Sequence, residues 1–128
     1  MFTAIPLLTI IVITYNVIAL LTGPELSRSI IEATLPSGAA WTLTLGDLLI
    51  LIGIALLFLE IVKATRSRRA GMDHAMSMVL FVIALLEFLL VPACGTDVFL
   101  IITALTLTDV IAGFSVSLST ARRDIAIN

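Results

Sequence analysis

Charge is what this chain has least of: 12% of its 128 residues are Asp, Glu, Lys or Arg, while 60% are hydrophobic. Soluble domains run near a quarter charged and about half apolar. A soluble fold of this length leaves much of its area against water, so the apolar excess is expected to face lipid. Cysteine and histidine are almost missing as well. The lone Cys94 excludes an intrachain disulfide, and with the lone His74 it leaves too few ligands for a zinc site within one chain. No metal and no other cofactor is expected. A formal net charge of −2 gives no global attraction to nucleic acid. Phosphate loops, dinucleotide fingerprints and nucleophile motifs are absent, so the chain does not read as an enzyme.

What the sequence does have is long apolar runs. Four stand out: Phe2 to Thr22, Asp47 to about residue 65, Asp73 to Pro92 and Asp97 to Ala121. Each approaches or exceeds the roughly 20 residues that cross about 30 Å of hydrocarbon. The fold class expected is therefore an all-α membrane protein, a single domain of four transmembrane helices. Met1 to Leu21 carries no charge, unlike the basic start of a cleavable signal, and reads as a retained helix. Gly23-Pro24 stops it. Asp47, Asp73 and Asp97 open the other three runs and read as N-caps.

Orientation follows from the cations. Lys63, Arg66, Arg68 and Arg69 lie between runs two and three, and Arg122 and Arg123 follow run four, leaving only Arg28 on the other side. The positive-inside rule then puts both termini and the middle loop in the cytoplasm. Lys63, Arg66, Arg68 and Arg69 also suit anionic lipid headgroups. The outer loop, residues 23–46, reads as a short hairpin turning at Pro36-Ser37-Gly38, with Trp41 as an interfacial anchor. An amphipathic helix over Leu26 to Ala33 is the alternative.

Three acids lie inside apolar runs and need a reason, since each costs about 2.5–3.5 kcal/mol on insertion scales. Glu60 has Lys63 one turn away, which suggests an interfacial ion pair. Glu87 and Asp109 have no cation within any run; Tyr15, Asn16, Ser77, Thr103 and Thr106 are the candidate hydrogen-bond partners. Counted from the third loop, Glu87 is about 8 Å deep and Asp109 about 18 Å; counted from the cytoplasmic ends both lie near 20 Å, so register leaves their contact open. Thr106, Asp109, Gly113, Ser117 and Thr120 share one stripe of run four, and Ala104, Thr108 and Ala112 another. Small and hydroxyl residues at such spacing suit helix–helix seams in lipid. His74 reads as a capping-turn residue at the cytoplasmic start of run three.

The strings TLTLGDLLILIGIALLFLEIVKATR, MDHAMSMVLFVIALLEFLLVPA and LTDVIAGFSVSLSTARRDI resemble small four-helix inner-membrane proteins of alphaproteobacteria. The likeness spans most of the chain; it implies a bacterial inner-membrane location and brings no activity. Small multidrug transporters share the length and helix number but depend on a glutamate in the first helix, and Met1 to Thr22 holds no acid. The leading expectation is a non-catalytic accessory or assembly subunit of a larger inner-membrane complex, such as a respiratory or photosynthetic one, with lipid and other membrane subunits as partners. The alternative is a small proton-coupled transporter or ion-conducting oligomer using Glu87 and Asp109.

Overall fold

Proline and the hydroxyl residues set most of the element boundaries. In the computed structural model, which describes residues 5–66 and 70–127, and side chains at 5–23, 25–63 and 74–115, the chain forms four α-helices and one hairpin. Helix α1 spans Leu8–Thr22, α2 Leu45–Arg66, α3 Ala70–Leu90 and α4 Asp97–Ile127. A 3-10 turn, Pro24–Ser27, follows α1; strands β1 (Ser29–Thr34) and β2 (Ala40–Thr44) come next; a second 3-10 turn, Pro92–Cys94, joins α3 to α4.

Two of these helices are long and apolar enough to cross a membrane, over Leu45–Lys63 and Asp97–Ser115; Leu8–Thr22 and His74–Leu90 are shorter apolar helices. Helix α1 begins later than the run Phe2 to Thr22 suggests. Pro6 has no N–H to donate, and the first helical turn forms just after it, with Thr9 N–H bonding to the Pro6 carbonyl at 3.1 Å.

The expected aspartate caps are corrected. Thr44 is the cap of α2: its Oγ1 accepts from the Asp47 N–H at 3.1 Å, and the Asp47 carboxylate accepts from the Thr44 N–H at 3.1 Å, a reciprocal capping box. Thr96 caps α4, accepting from the Phe99 N–H at 3.2 Å. Helix α3 starts at Ala70, so Asp73 lies inside its first turn and not ahead of it.

Helix α4 is the hub: it packs against α3 most extensively, then α2, and also α1, which touches α2 as well. The buried positions recur at helical spacing. They are Leu8, Ile11, Val12, Tyr15 and Ala19 on α1, and Gly46, Leu49, Gly53, Leu57 and Glu60 on α2. On α3 and α4 they are Ser77, Leu80, Ala84, Phe99, Ile102, Thr103, Thr106 and Asp109. Steps of three and four give each helix one narrow inward stripe. The remaining faces are apolar and bare, as at Ile13, Leu20, Phe58, Leu89 and Phe114.

Glycine permits the closest approach. A Cβ on Gly53 would stand 2.9 Å from Leu105 Cδ1, and one on Gly46 2.8 Å from Val98 Cγ2 and 3.2 Å from the Leu26 carbonyl oxygen. These two glycines, one heptad apart, set the spacing of α2 and α4.

In the segment 23–46 a hairpin forms and no helix covers Leu26 to Ala33 beyond the short turn at its start. Antiparallel pairing aligns Ile31 with Leu43, Glu32 with Thr42 and Ala33 with Trp41, with a bulge between Ser29 and Ile31. The turn closes through Gly38 N–H to the Leu35 carbonyl at 2.8 Å, and Gly38 takes φ +90°, a conformation glycine adopts without a Cβ clash.

Candidate functional site: buried polar groups between the helices

The three acids within the apolar runs of the sequence fall into three separate places. Glu60, near the end of α2, is 4% exposed. Its Oε2 accepts from the Leu7 N–H at 3.0 Å, and Lys63 Nζ stands 3.7 Å from its Oε1. Lys63 also donates to the Ile5 carbonyl at 3.3 Å. A carboxylate at the start of α1 answers the free N–H groups and the positive end of the helix dipole. Glu60 and Lys63 thus clamp the entry of α1 onto α2. The sequence offered the ion pair; the bond to Leu7 needs three-dimensional knowledge of where α1 begins.

Glu87 lies at the other end of the molecule. Asn16 on α1 donates from Nδ2 to Glu87 Oε1 at 3.3 Å and to the Val12 carbonyl at 2.8 Å. The Cys94 thiol reaches Asn16 Oδ1 at 3.5 Å and Glu87 Oε2 at 3.8 Å, and its one proton can serve either. Next to them the Tyr15 hydroxyl donates to the Ala93 carbonyl at 3.0 Å and lies 2.6 Å from Thr96 Oγ1. Tyr15 has a single proton, so with that proton on Ala93 the Thr96 hydroxyl donates to Tyr15. The Tyr15 ring packs on Phe99, with centroids 4.7 Å apart. Together these bonds tie α1 to the α3–α4 connection. Burial, then the charge of Glu87 and its bond, push the Cys94 thiol up to about 11.

Asp109, 5% exposed, accepts from Ser77 Oγ at 3.0 Å, joining α4 to α3. Ser77 lies ten residues before Glu87 on the same helix, about 15 Å away along the axis. Asp109 and Glu87 therefore answer to different partners. Thr103 and Thr106 do not serve the acids through their protons: Thr103 donates to the Phe99 carbonyl at 2.9 Å and Thr106 to the Thr103 carbonyl at 2.6 Å. One turn from Ser77, His74 lies inside α3 and not in a capping turn. Its ring sits 5.9 Å from that of Phe114, and a Cβ on Gly113 would be 3.4 Å from its Nδ1. That Nδ1 is buried and has no hydrogen-bond partner.

Of the helix-packing stripe, Thr106 and Asp109 are buried and Gly113 is half-buried against α3. On the second stripe Ala104 and Thr108 are exposed and Ala112 is half-buried. The side chains of Arg66, Arg68, Arg69 and Asp73, and those of Ser117, Thr120, Arg122 and Arg123, lie outside the described residues.

Chemically, Glu87 and Asp109 meet neutral amide, thiol and hydroxyl donors, while Glu60 meets a backbone N–H and the Lys63 cation. No group of three or more His, Cys, Asp or Glu side chains able to hold a metal occurs among the described residues. Two shallow grooves of about 320 and 300 Å³ lie at the hairpin end; one is lined by Ala19, Leu26, Ala93 and Thr96, the other by Glu25, Arg28, Ile30 and Leu45. Neither reaches Glu87 or Asp109. The Tyr15–Asn16 pair was the readable hint that sequence reasoning underused: the two polar ring and amide groups sit side by side in the middle of an otherwise aliphatic run. No family model, no curated protein and no solved structure matches this chain.

Proposed function

We propose that this chain is an integral protein of a bacterial inner membrane, with all four helices spanning and both ends cytoplasmic, and that it serves as a non-catalytic accessory or assembly subunit of a larger membrane complex. The observation that carries the reading is an inversion of the water-soluble pattern. Glu60, Ser77, Thr103, Thr106 and Asp109 are buried, while Ile13, Leu20, Phe58, Leu89, Leu90 and Phe114 are exposed. Only 22% of the apolar window of α2 and 28% of that of α4 is buried within the chain. Such helices suit a hydrocarbon solvent. Polar groups that bond one helix to another, as Asn16 does to Glu87 and Ser77 to Asp109, support a scaffold role.

The exposed Ala104 and Thr108, with half-buried Ala112 on the same stripe, add a surface on which another helix can approach closely. Purification of the tagged chain from its native membrane in mild detergent, with mass spectrometry of what remains bound, tests the proposal. Co-purifying membrane subunits in fixed proportion are expected; recovery of the chain alone would overturn it.

A second reading, a small proton-coupled transporter or ion-conducting oligomer, draws on one observation: the partnerless buried His74 Nδ1 lies on the same α3–α4 seam as Ser77 and Asp109. It requires Glu87→Gln and Asp109→Asn to abolish proton flux in proteoliposomes, and unchanged flux would exclude it.

A further inference from the structure

We infer that the β1–β2 hairpin lies flat on the outer surface of the bilayer, with Ile31, Ala33, Trp41 and Leu43 inserted among the lipid headgroups. This rests on the membrane reading above. The register puts these four side chains on one face, since Ile31 pairs with Leu43 and Ala33 with Trp41, and residues two apart in a strand share a side. Glu32, Thr34 and Thr42 occupy the other face. Among the described residues little covers the apolar side: every residue of β1 is exposed, Trp41 is 41% exposed, and only Leu43, at the base, is half-buried. An isolated two-stranded hairpin with one bare apolar face is marginal in water, so something must cover it.

Continuity with the apolar surface of α2 makes lipid the occupant. The base of the hairpin is fixed to the start of that helix by the Thr44–Asp47 capping box and by Leu45 N–H to the Arg28 carbonyl at 3.0 Å. The strands therefore leave from the level at which the apolar window Leu45–Lys63 begins. In a bilayer that level is the headgroup boundary, where tryptophan is enriched. The charges nearby fix the kind of surface. Arg28 is engaged by Glu25 at 3.4 Å, and the hairpin adds only Glu32. Among the described residues of the hairpin end every cation has an acid beside it, so insertion is driven by apolar contact and should be indifferent to salt.

Trp41 is the only tryptophan, so its fluorescence reports this one site. The protein is reconstituted into phosphatidylcholine vesicles whose chains carry bromine near the headgroup or near the bilayer centre. Headgroup-level bromine is expected to quench Trp41 several-fold more than central bromine. Aqueous iodide should quench weakly, with no change on adding salt or anionic lipid. Leu43→Asp, on the inserted face, should reverse the order of quenchers, and Glu32→Gln, on the other face, should leave it unchanged. Strong iodide quenching without bromolipid quenching would overturn the inference. So would protection of Trp41 from both quenchers, which would point to a protein cover. Resistance of the chain to carbonate extraction is scored in parallel: a chain that washes off the membrane refutes the membrane reading itself, while a retained chain with a water-exposed Trp41 refutes only the hairpin's position.

Discussion

Glu60 shows how one buried charge can be kept in an apolar molecule. It has a cation beside it in Lys63 and a helix terminus in front of it at Leu7, so its charge is answered twice. Glu60→Gln keeps an acceptor for the Leu7 N–H and should cost little. Glu60→Ala removes the cap and should cost about 0.5–2 kcal/mol, measured as a lower midpoint of thermal unfolding in detergent. Equal loss in both variants would mean that the ion pair, not the cap, fixes α1. Cys94 makes an opposite case, a group kept neutral. Its thiol rises from an ordinary value of 9.0 to about 11, so the folded chain holds the proton more tightly than the unfolded one. The sign follows: stability is unaffected below about pH 9, falls as the unfolded thiol ionises first, and has lost the whole contribution above about 11. Maleimide, which needs the thiolate, should leave Cys94 unlabelled at neutral pH in the folded protein and label it once unfolded. Rapid labelling of the folded chain at neutral pH would contradict this.

At the scale of elements, the contact of α2 with α4 depends on Gly46 and Gly53, and magnitudes decide what each tolerates. Alanine gains up to about 1 kcal/mol of helix propensity over glycine, while overpacking costs about 1–3 kcal/mol. At Gly53 the new Cβ would meet only the flexible tip of Leu105, so Gly53→Ala should be near neutral. At Gly46 it would meet a stiff, β-branched Val98 and the backbone oxygen of Leu26, and Gly46→Ala should lower the unfolding midpoint clearly. The reverse order would show that the two helices do not approach as described. This scale also separates what was legible from what was not. The apolar runs gave four helices, with the start of α1 and the end of α4 each six residues from the expected bound, and the Pro36-Ser37-Gly38 turn gave the hairpin, because hydropathy and turn chemistry are local. Caps were misread because Asp47 and Asp97 compete with neighbouring hydroxyls, and only the backbone bonds reveal Thr44 and Thr96, while α3 begins ahead of Asp73. The polar stripe of α4 at Thr106 and Asp109 was legible, but the inward stripes of the other helices were not, because a helix apolar nearly all round shows little contrast between faces. The pairings Asn16–Glu87 and Ser77–Asp109 depend on helix register, which no single run encodes.

For the whole molecule, the decisive question for the proposed four-span topology is which side of the membrane each connection would face. The hairpin, the 3-10 turn at Pro92–Cys94 and the Tyr15–Thr96 bond lie at one end of the helices, and the Glu60–Lys63 clamp at the other. The second end carries six of the seven basic residues if the helices alternate, and loop cations stay cytoplasmic because moving them across the membrane is disfavoured. Cysteines introduced one at a time into a Cys94→Ser background measure this directly. Ser37→Cys, at the exposed hairpin tip, should react in intact spheroplasts with a maleimide that cannot cross lipid. Ser67→Cys, among the basic residues between α2 and α3, should react only after permeabilisation. Four spans with this polarity require both results together. Labelling of both positions from outside would leave an even number of crossings between them and reduce the helices that span. Labelling of Ser67→Cys alone would invert the molecule, and the hairpin, with its bare apolar face, would then meet the cytoplasmic leaflet instead.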